Sequence, residues 1–424
     1  MMRNEHELRK SVVAEMHLRR WPQLQPGMTV IQILRQVAAE DRDAEQDALS
    51  RLPDGAGVQP SPNPRHVQGT LGEGVAFGWE RHSEASATTL FISRGAEAAL
   101  DPQGDAAVAR ALDWADGLPG KIVRATRIAI VADTGEADDL LPRFAFEPLD
   151  LVSCRIAGGA RIWSDFRLRE DGFGAVLVAA NALPPGDLSR TVQRLQELGN
   201  YRNMALLGLP VAQAGWKVLD AIEAELASLG ARVARSDVSD DELLKQVTDL
   251  SMQLMTQTAS SDFRLSATEA YAVLVEERLE DLCIEPVPGF QSLADFTQRR
   301  FLPAIRTCAA HRRRAETLAA RTAQFVSLFR TRVETRIENQ NGRLLHSMEK
   351  SISTQLRLQH LVEGLSVVAL SYYGISLLAY MLKGAEKLDH DIPSGVIIAV
   401  LTPFVVAAMW LGIRSMKHRI LHRD

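Results

Sequence analysis

Charge is spread unevenly along this chain, and two stretches near its end carry none. Gly364 to Leu382 (GLSVVALSYYGISLLAYML) and Ile392 to Ile413 (IPSGVIIAVLTPFVVAAMWLGI) lack Asp, Glu, Lys and Arg altogether. Each is about the ~20 residues that a bilayer core demands of a crossing helix. The pair predicts a membrane hairpin, with spans at 364–382 and 393–413 and a basic tail at 415–424. Upstream, after Pro303, apolar or small positions recur at Leu318, Thr322, Phe325, Phe329, Val333, Ile337, Gln340, Leu344, Met348, Ile352, Leu356, Gln359 and Val362. The mean step of about 3.67 residues is nearer an eleven-residue repeat than a heptad. It predicts one helix of about 80 residues, on the order of 120 Å at 1.5 Å per residue. Such a stalk (291–363) buries its seam most simply against copies of itself, with packing on its own domain as the alternative.

The rest of the chain changes period along its length. Met1 to Arg51 reads as helical, from Leu8, Val12, Val13 and Met16 and again from Ile31, Ile33, Leu34 and Val37. Asp54 to His66 is a loop by composition. Strands are expected at both ends of Gly74–Ser93, at Thr126–Asp133, and in GAVLVAAN after Asp171-Gly172. Leu149 to Leu168 reads as a hairpin, two alternating runs around Gly158-Gly159. From Leu188 the pattern is helical as far as a break at Glu285–Ser292. The fold class is therefore α+β, a mixed sheet with covering helices over 1–180 followed by a helical region over 181–290.

Composition narrows the classes. The chain of 424 residues is long enough for more than one core, and its net charge of −5 gives no nucleic-acid signature. Its 3 cysteines are far apart and form neither a zinc nor a disulfide pattern. The first twenty residues have no apolar signal-peptide core, so insertion is expected to rest on the C-terminal segments. Basic residues flank the hairpin, with Arg343, Lys350 and Arg357 before it and Arg414, Lys417, Arg419 and Arg423 after it. The positive-inside rule then expects an inner-membrane protein, multi-pass, with both termini cytoplasmic and the connecting loop outside.

Candidate chemistry is sparse. AEMHLRRW offers Glu15 and His17 with Arg19 and Arg20, and WERHSE offers Glu80, Arg81, His82 and Glu84. The two groups could meet around a metal or an anion. Without HExxH-like spacing, a polar network tying the first segment to the sheet explains them better, and no catalytic residue, metal site or cofactor is assigned. Asp165, Arg167, Arg169, Glu170 and Asp171 are explained at least as well by a solvated strand face. His311 and Arg312 to Arg314 read as a solvated or subunit-facing basic patch. In the first span, Ser366, Ala369, Tyr373, Ser376 and Tyr380 share a broad helical face. They are candidate pore-lining residues, or else contacts between helices. Glu386, Asp389 and Asp391 in the loop would gather cations at an outer mouth.

Several longer segments carry a resemblance: AEMHLRRW, GWERHSE, AGGARIWSDFRLREDGF, GNYRNMALLGLP, RRFLPAIRTC, RTRVETRIENQNGRLLHSM and LRLQHLVEGLSVVALSYYG. Through nearly its whole length the chain resembles the bacterial family known as domain of unknown function 3422, described as predicted membrane-anchored proteins. Arg20-Trp21 and Ser83-Glu84-Ala85 depart from the commoner family pattern. In build alone the chain is also similar to the CorA-type divalent-cation channels, which are pentamers. Their Gly-Met-Asn motif is replaced here by Tyr380-Met381-Leu382-Lys383-Gly384. That likeness implies a homo-oligomer in membrane lipid that passes a divalent or monovalent cation with weak selectivity. The alternative expectation is a membrane-anchored scaffold or regulator whose hairpin only tethers and oligomerises it.

Overall fold

The computed structural model describes residues 6–9, 12–13, 21–53, 55–59, 63–72, 74–233, 239–386 and 394–421, of which 385, 386, 394 and 416–421 are described in backbone only. The chain divides into two compact units, Met1–Val326 and Ser327–Asp424.

The first unit is built on a sheet whose strands are β1 (Thr29–Gln36), β2 (Gly57–Gln59), β3 (His66–Gly72), β4 (Val75–Arg81), β5 (Ala85–Ile92), β6 (Lys121–Val131), β7 (Val152–Ile156), β8 (Ala160–Ser164), β9 (Gly174–Ala179) and β10 (Glu285–Pro286). Their spatial order is β10-β7-β8-β9-β6-β1-β5-β4-β3-β2. Neighbours run antiparallel, while β6 and β9 are parallel. Side chains alternate across the pleat, so Ile128 and Ile130 of β6 enter one core and Ala129 and Val131 the other. The second face is covered by α1 (Arg42–Ser50), α2 (Ala106–Asp116) and α3 (Thr134–Leu140). The first lies under α4 (Pro185–Leu206), whose Leu188, Val192, Leu195 and Leu198 pack on Ile128, Val176 and Val178. Each such side chain contributes about 1.5–3 kcal/mol by leaving water.

β1 corrects the helical reading of Ile31, Ile33, Leu34 and Val37. Seven of its eight residues are buried, because it lies between β5 and β6 with both faces covered. A strand buried on both faces shows no polar alternation, and its apolar run fits a helix equally well. The expected hairpin is present as β7 and β8, with the positive φ taken by Ala157 and Gly158.

α5 (Gly208–Val233), α6 (Asp240–Asp281) and α7 (Leu293–Glu386) continue the chain. Ser292 begins α7 by accepting from the Asp295 amide at 3.0 Å, eleven residues before Pro303, which is therefore interior to the helix. The expected basic patch is also corrected. His311 is buried, edge-on to Trp216 and close against Gly215. Arg312 pairs with Glu269 at 2.6 Å, and Arg314 with Asp220 and Glu223. The helical layer thus pairs Arg312 and Arg314 with its own carboxylates, while Arg313 stays exposed. Asp165 is likewise buried where a solvated face was expected, taking the amides of Glu147 and Arg167 and the guanidinium of Arg169.

The seam along α7 changes character. Within the first unit Leu318 and Thr322 are buried, and Phe325 stands against Gly230 of α5, so the domain's own helices cover it. In the second unit Ile337, Leu344, Met348, Ile352, Leu356 and Val362 are exposed. The second unit also holds α8 (Ser394–Leu421), which packs beside the end of α7 through Val405 and Met409 on Gly374.

Candidate functional site

Beyond the cover of α4, the sheet face around β3, β4 and β5 holds a cavity of about 250 Å³. The pleat that sends Val75, Phe77 and Trp79 into the opposite core leaves Ala76, Gly78 and Glu80 here. Such small side chains on the floor leave the space open. Trp21 packs edge-on to Phe91, with ring centroids 5.0 Å apart, and walls one side. The register of β3 on β4 places His66 opposite Glu80, with Nδ1 4.0 Å from Oε1. Gln68 and Thr89 supply further polar atoms.

Trp21 and Glu80 also line a smaller recess of about 20 Å³ with His82, Gln32, Glu197, Asn200 and Tyr201. A hydrogen-bonded chain connects the two spaces through the sheet–helix interface. Arg124 donates to Asn200 Oδ1 at 3.0 Å, Asn200 Nδ2 to Gln32 Oε1 at 2.9 Å, and Gln32 Nε2 to Thr89 Oγ1 at 2.9 Å. Gln32 and Asn200 are both buried, so this amide relay holds its members in one arrangement.

Of the residues singled out in the sequence, Glu80 and His82 come together here. Arg81 alternates to the opposite face of β4. Glu84 is bound in a bidentate ion pair with Arg264 of α6, at 2.7 and 2.9 Å, and joins the β4–β5 turn to the helical layer. Burial beside that pair pushes the Tyr271 phenol up to about 12. Glu15 and His17 lie outside the described residues. The sequence reading missed Trp21, Gln32, His66, Arg124 and Asn200. A glutamine inside the apolar run of β1 and an asparagine on the buried side of α4 were the available signals.

The two spaces together combine two carboxylates, Glu80 and the Arg278-paired Glu197, with two imidazoles, several amides and aromatic walls, an arrangement suited to recognising a small polar molecule that has an apolar face. Among the described residues, no group of three or more His, Cys, Asp or Glu could hold a metal ion. The buried Cys154 thiol is pushed up to about 11 by desolvation and is no nucleophile at neutral pH.

In the second unit, Ser371 is the residue buried in the first apolar segment, with Gly374 beside it facing Val405 and Met409. On α8 the partly covered positions Ile398, Thr402, Val405, Met409 and Ile413 recur every three or four residues. Tyr373 and Tyr380, 70% and 77% exposed, lie on the other side of α7 together with exposed Ala369 and partly covered Ser376. Ser366 Oγ donates to the Val362 carbonyl at 2.8 Å within its own helix. Glu386 is described in backbone only, and Asp389 and Asp391 lie outside the described residues. Two helices, within Leu293–Gly384 and Gly395–Ser415, are long and apolar enough to cross a membrane.

The chain belongs to the family described as Protein of unknown function (DUF3422), whose model matches residues 4–420. No curated protein and no solved structure matches it, which leaves the likeness in build to the CorA-type channels without support.

Proposed function

We propose that this is a membrane-tethered, self-associating protein whose first unit binds a small polar ligand or a partner's side chain in the Trp21–Glu80 recess. One observation carries the tether. The two C-terminal helices leave Leu365, Val368, Leu377, Phe404 and Leu411 exposed, an extent of bare apolar side chain that a water-soluble protein rarely presents. In a bilayer the same surface is solvated by lipid, and the backbone is already satisfied within each helix. The basic residues on either side of the hairpin support a cytoplasmic placement of both chain ends. Self-association is supported by the exposed α7 positions from Ile337 to Val362, which repeat at helical spacing. Fractionation of cells expressing the full chain tests the tether. The protein should stay in the membrane pellet through alkaline carbonate and leave it in detergent. Recovery in the carbonate supernatant would overturn the reading.

A second reading, cation conduction, is favoured by the face bearing Ala369, Tyr373 and Tyr380, which α8 leaves bare. A closed ring of copies would bring the two tyrosine hydroxyls toward its axis and pass monovalent or divalent cations with weak selectivity. Liposomes holding the purified oligomer test it: cation flux that falls on neutralising Glu386, Asp389 and Asp391 supports conduction, and the absence of flux leaves the tether alone.

A further inference from the structure

Two arginines, the partly buried Arg124 and the buried Arg202, meet where α4 crosses β6, and among the described residues neither has a carboxylate partner. Arg124 lies flat on Gly199, close enough that any Cβ there would stand 2.6 Å from its Cζ. Its described hydrogen bond goes to the neutral Asn200 amide, whose Nδ2 is already committed to Gln32. Arg202, 9% exposed, has its Cζ 4.6 Å above the Phe166 ring and 5.6 Å from that of Phe296. Its Nη1 has no hydrogen-bond partner among the described residues. Both guanidinium groups line one crevice of about 10 Å³, walled otherwise by apolar side chains such as Ile162, Leu195 and Leu293.

Burial lowers Arg124 to about 9, with Arg202 adding to the effect, and lowers Arg202 to about 10. Both remain cationic at neutral pH, so two like charges share one desolvated space. A buried charge is costly without a counter-charge, and a cation–π contact offsets only about 2 kcal/mol of that. The backbone is arranged for this contact. Phe166 has φ of 52°, a left-handed conformation that costs a non-glycine residue on the order of 1–3 kcal/mol, and its ring is stacked on Phe296 at 4.6 Å. The SDFR and GNYR segments, distant in sequence, thus converge on one point.

We propose that Arg124 and Arg202 together hold a small inorganic anion, and that chloride is the class of ligand that fits. The crevice has room for about one water-sized particle, which excludes phosphate, sulfate and organic carboxylates from full entry. The guanidinium of Arg202 supplies the unused donor, and Arg124 supplies the second charge.

The test uses the full-length protein in detergent, with sodium chloride exchanged for sodium gluconate at constant ionic strength. Chloride should raise the unfolding temperature saturably, on the order of 2–4 °C. It should also show a broadened chloride-35 resonance that excess bromide narrows. Arg202→Met should abolish both effects, whereas Arg143→Met, an exposed arginine paired with Glu97, should keep them. If Arg202→Met does not fold, the bromide competition on the unsubstituted protein decides. Equal unfolding temperatures in chloride and gluconate with no competable broadening would overturn the proposal, as would equal stabilisation by sulfate.

Discussion

His311 shows how a single side chain sets a pH response in this fold. Burial holds its imidazole below the usual histidine range, and the neighbouring Arg314 lowers it further. Gly215 and Trp216 face it from α5, and Glu269 and Glu223 are held by Arg312 and Arg314 on its own helix. The folded state therefore resists protonation while the unfolded chain takes a proton near pH 6.5. Stability is full above that value and falls as pH drops from it toward the depressed folded value. Urea unfolding at pH 7.5 and 5.5 should show a larger loss for the unsubstituted protein than for His311→Gln. A loss of the same size in both would remove His311 as the cause. The Glu84–Arg264 pair gives a second expectation at this scale. Glu84→Gln leaves a largely desolvated guanidinium without its counter-charge and should cost roughly 3 kcal/mol in denaturant unfolding. A change under about 0.5 kcal/mol would mark the pair as an ordinary surface contact.

Among the elements, α7 is the one whose role depends on what its faces meet. Leu318→Ala opens a cavity in a packed helical layer and should cost about 2–5 kcal/mol. Leu344 and Ile352 are 61% and 54% exposed, so alanine there should change the stability of the single chain by less than about 0.5 kcal/mol. If the exposed seam joins copies, the same two substitutions should instead shift the detergent-solubilised protein toward monomer in analytical ultracentrifugation. An unchanged sedimentation distribution would dissociate the seam from assembly. The elements also show what the sequence made legible. The β7–β8 turn, the strand at β6, the break before α7 and the two uncharged stretches each carry a local signal, a glycine turn or an uninterrupted period. β1 does not, since burial on both faces erases the alternation that identifies a strand. The recess was half legible for a related reason. Glu80 near the end of β4 and His82 just after it announce themselves as polar groups beside a strand, but Gln32, Asn200 and Arg124 come from three separate elements that only the fold brings together.

For the whole molecule the proposed tether has a directional consequence, and the chain carries its own reporter for it. Cys154 and Cys308 are buried and Cys283 is exposed, so a water-soluble thiol reagent reads Cys283 and spares the others in the folded state. Under that proposal two crossings would return the chain to the side it left, and the positive-inside rule would make that side the cytoplasm. A membrane-impermeant maleimide should therefore leave the protein unlabelled in intact cells and label Cys283 once the membrane is opened. Asp389→Cys, placed in the connecting loop, should gain labelling in intact cells, since that loop is expected outside. The two thiols separate the possible errors. Labelling of Cys283 in intact cells would invert the orientation, and protection of both positions until lysis would mean that the hairpin does not cross the bilayer. A protected Cys283 with a reactive residue 389 fits two spans with the first unit inside, because a hairpin lying in the headgroup layer keeps its loop on the same side as the first unit.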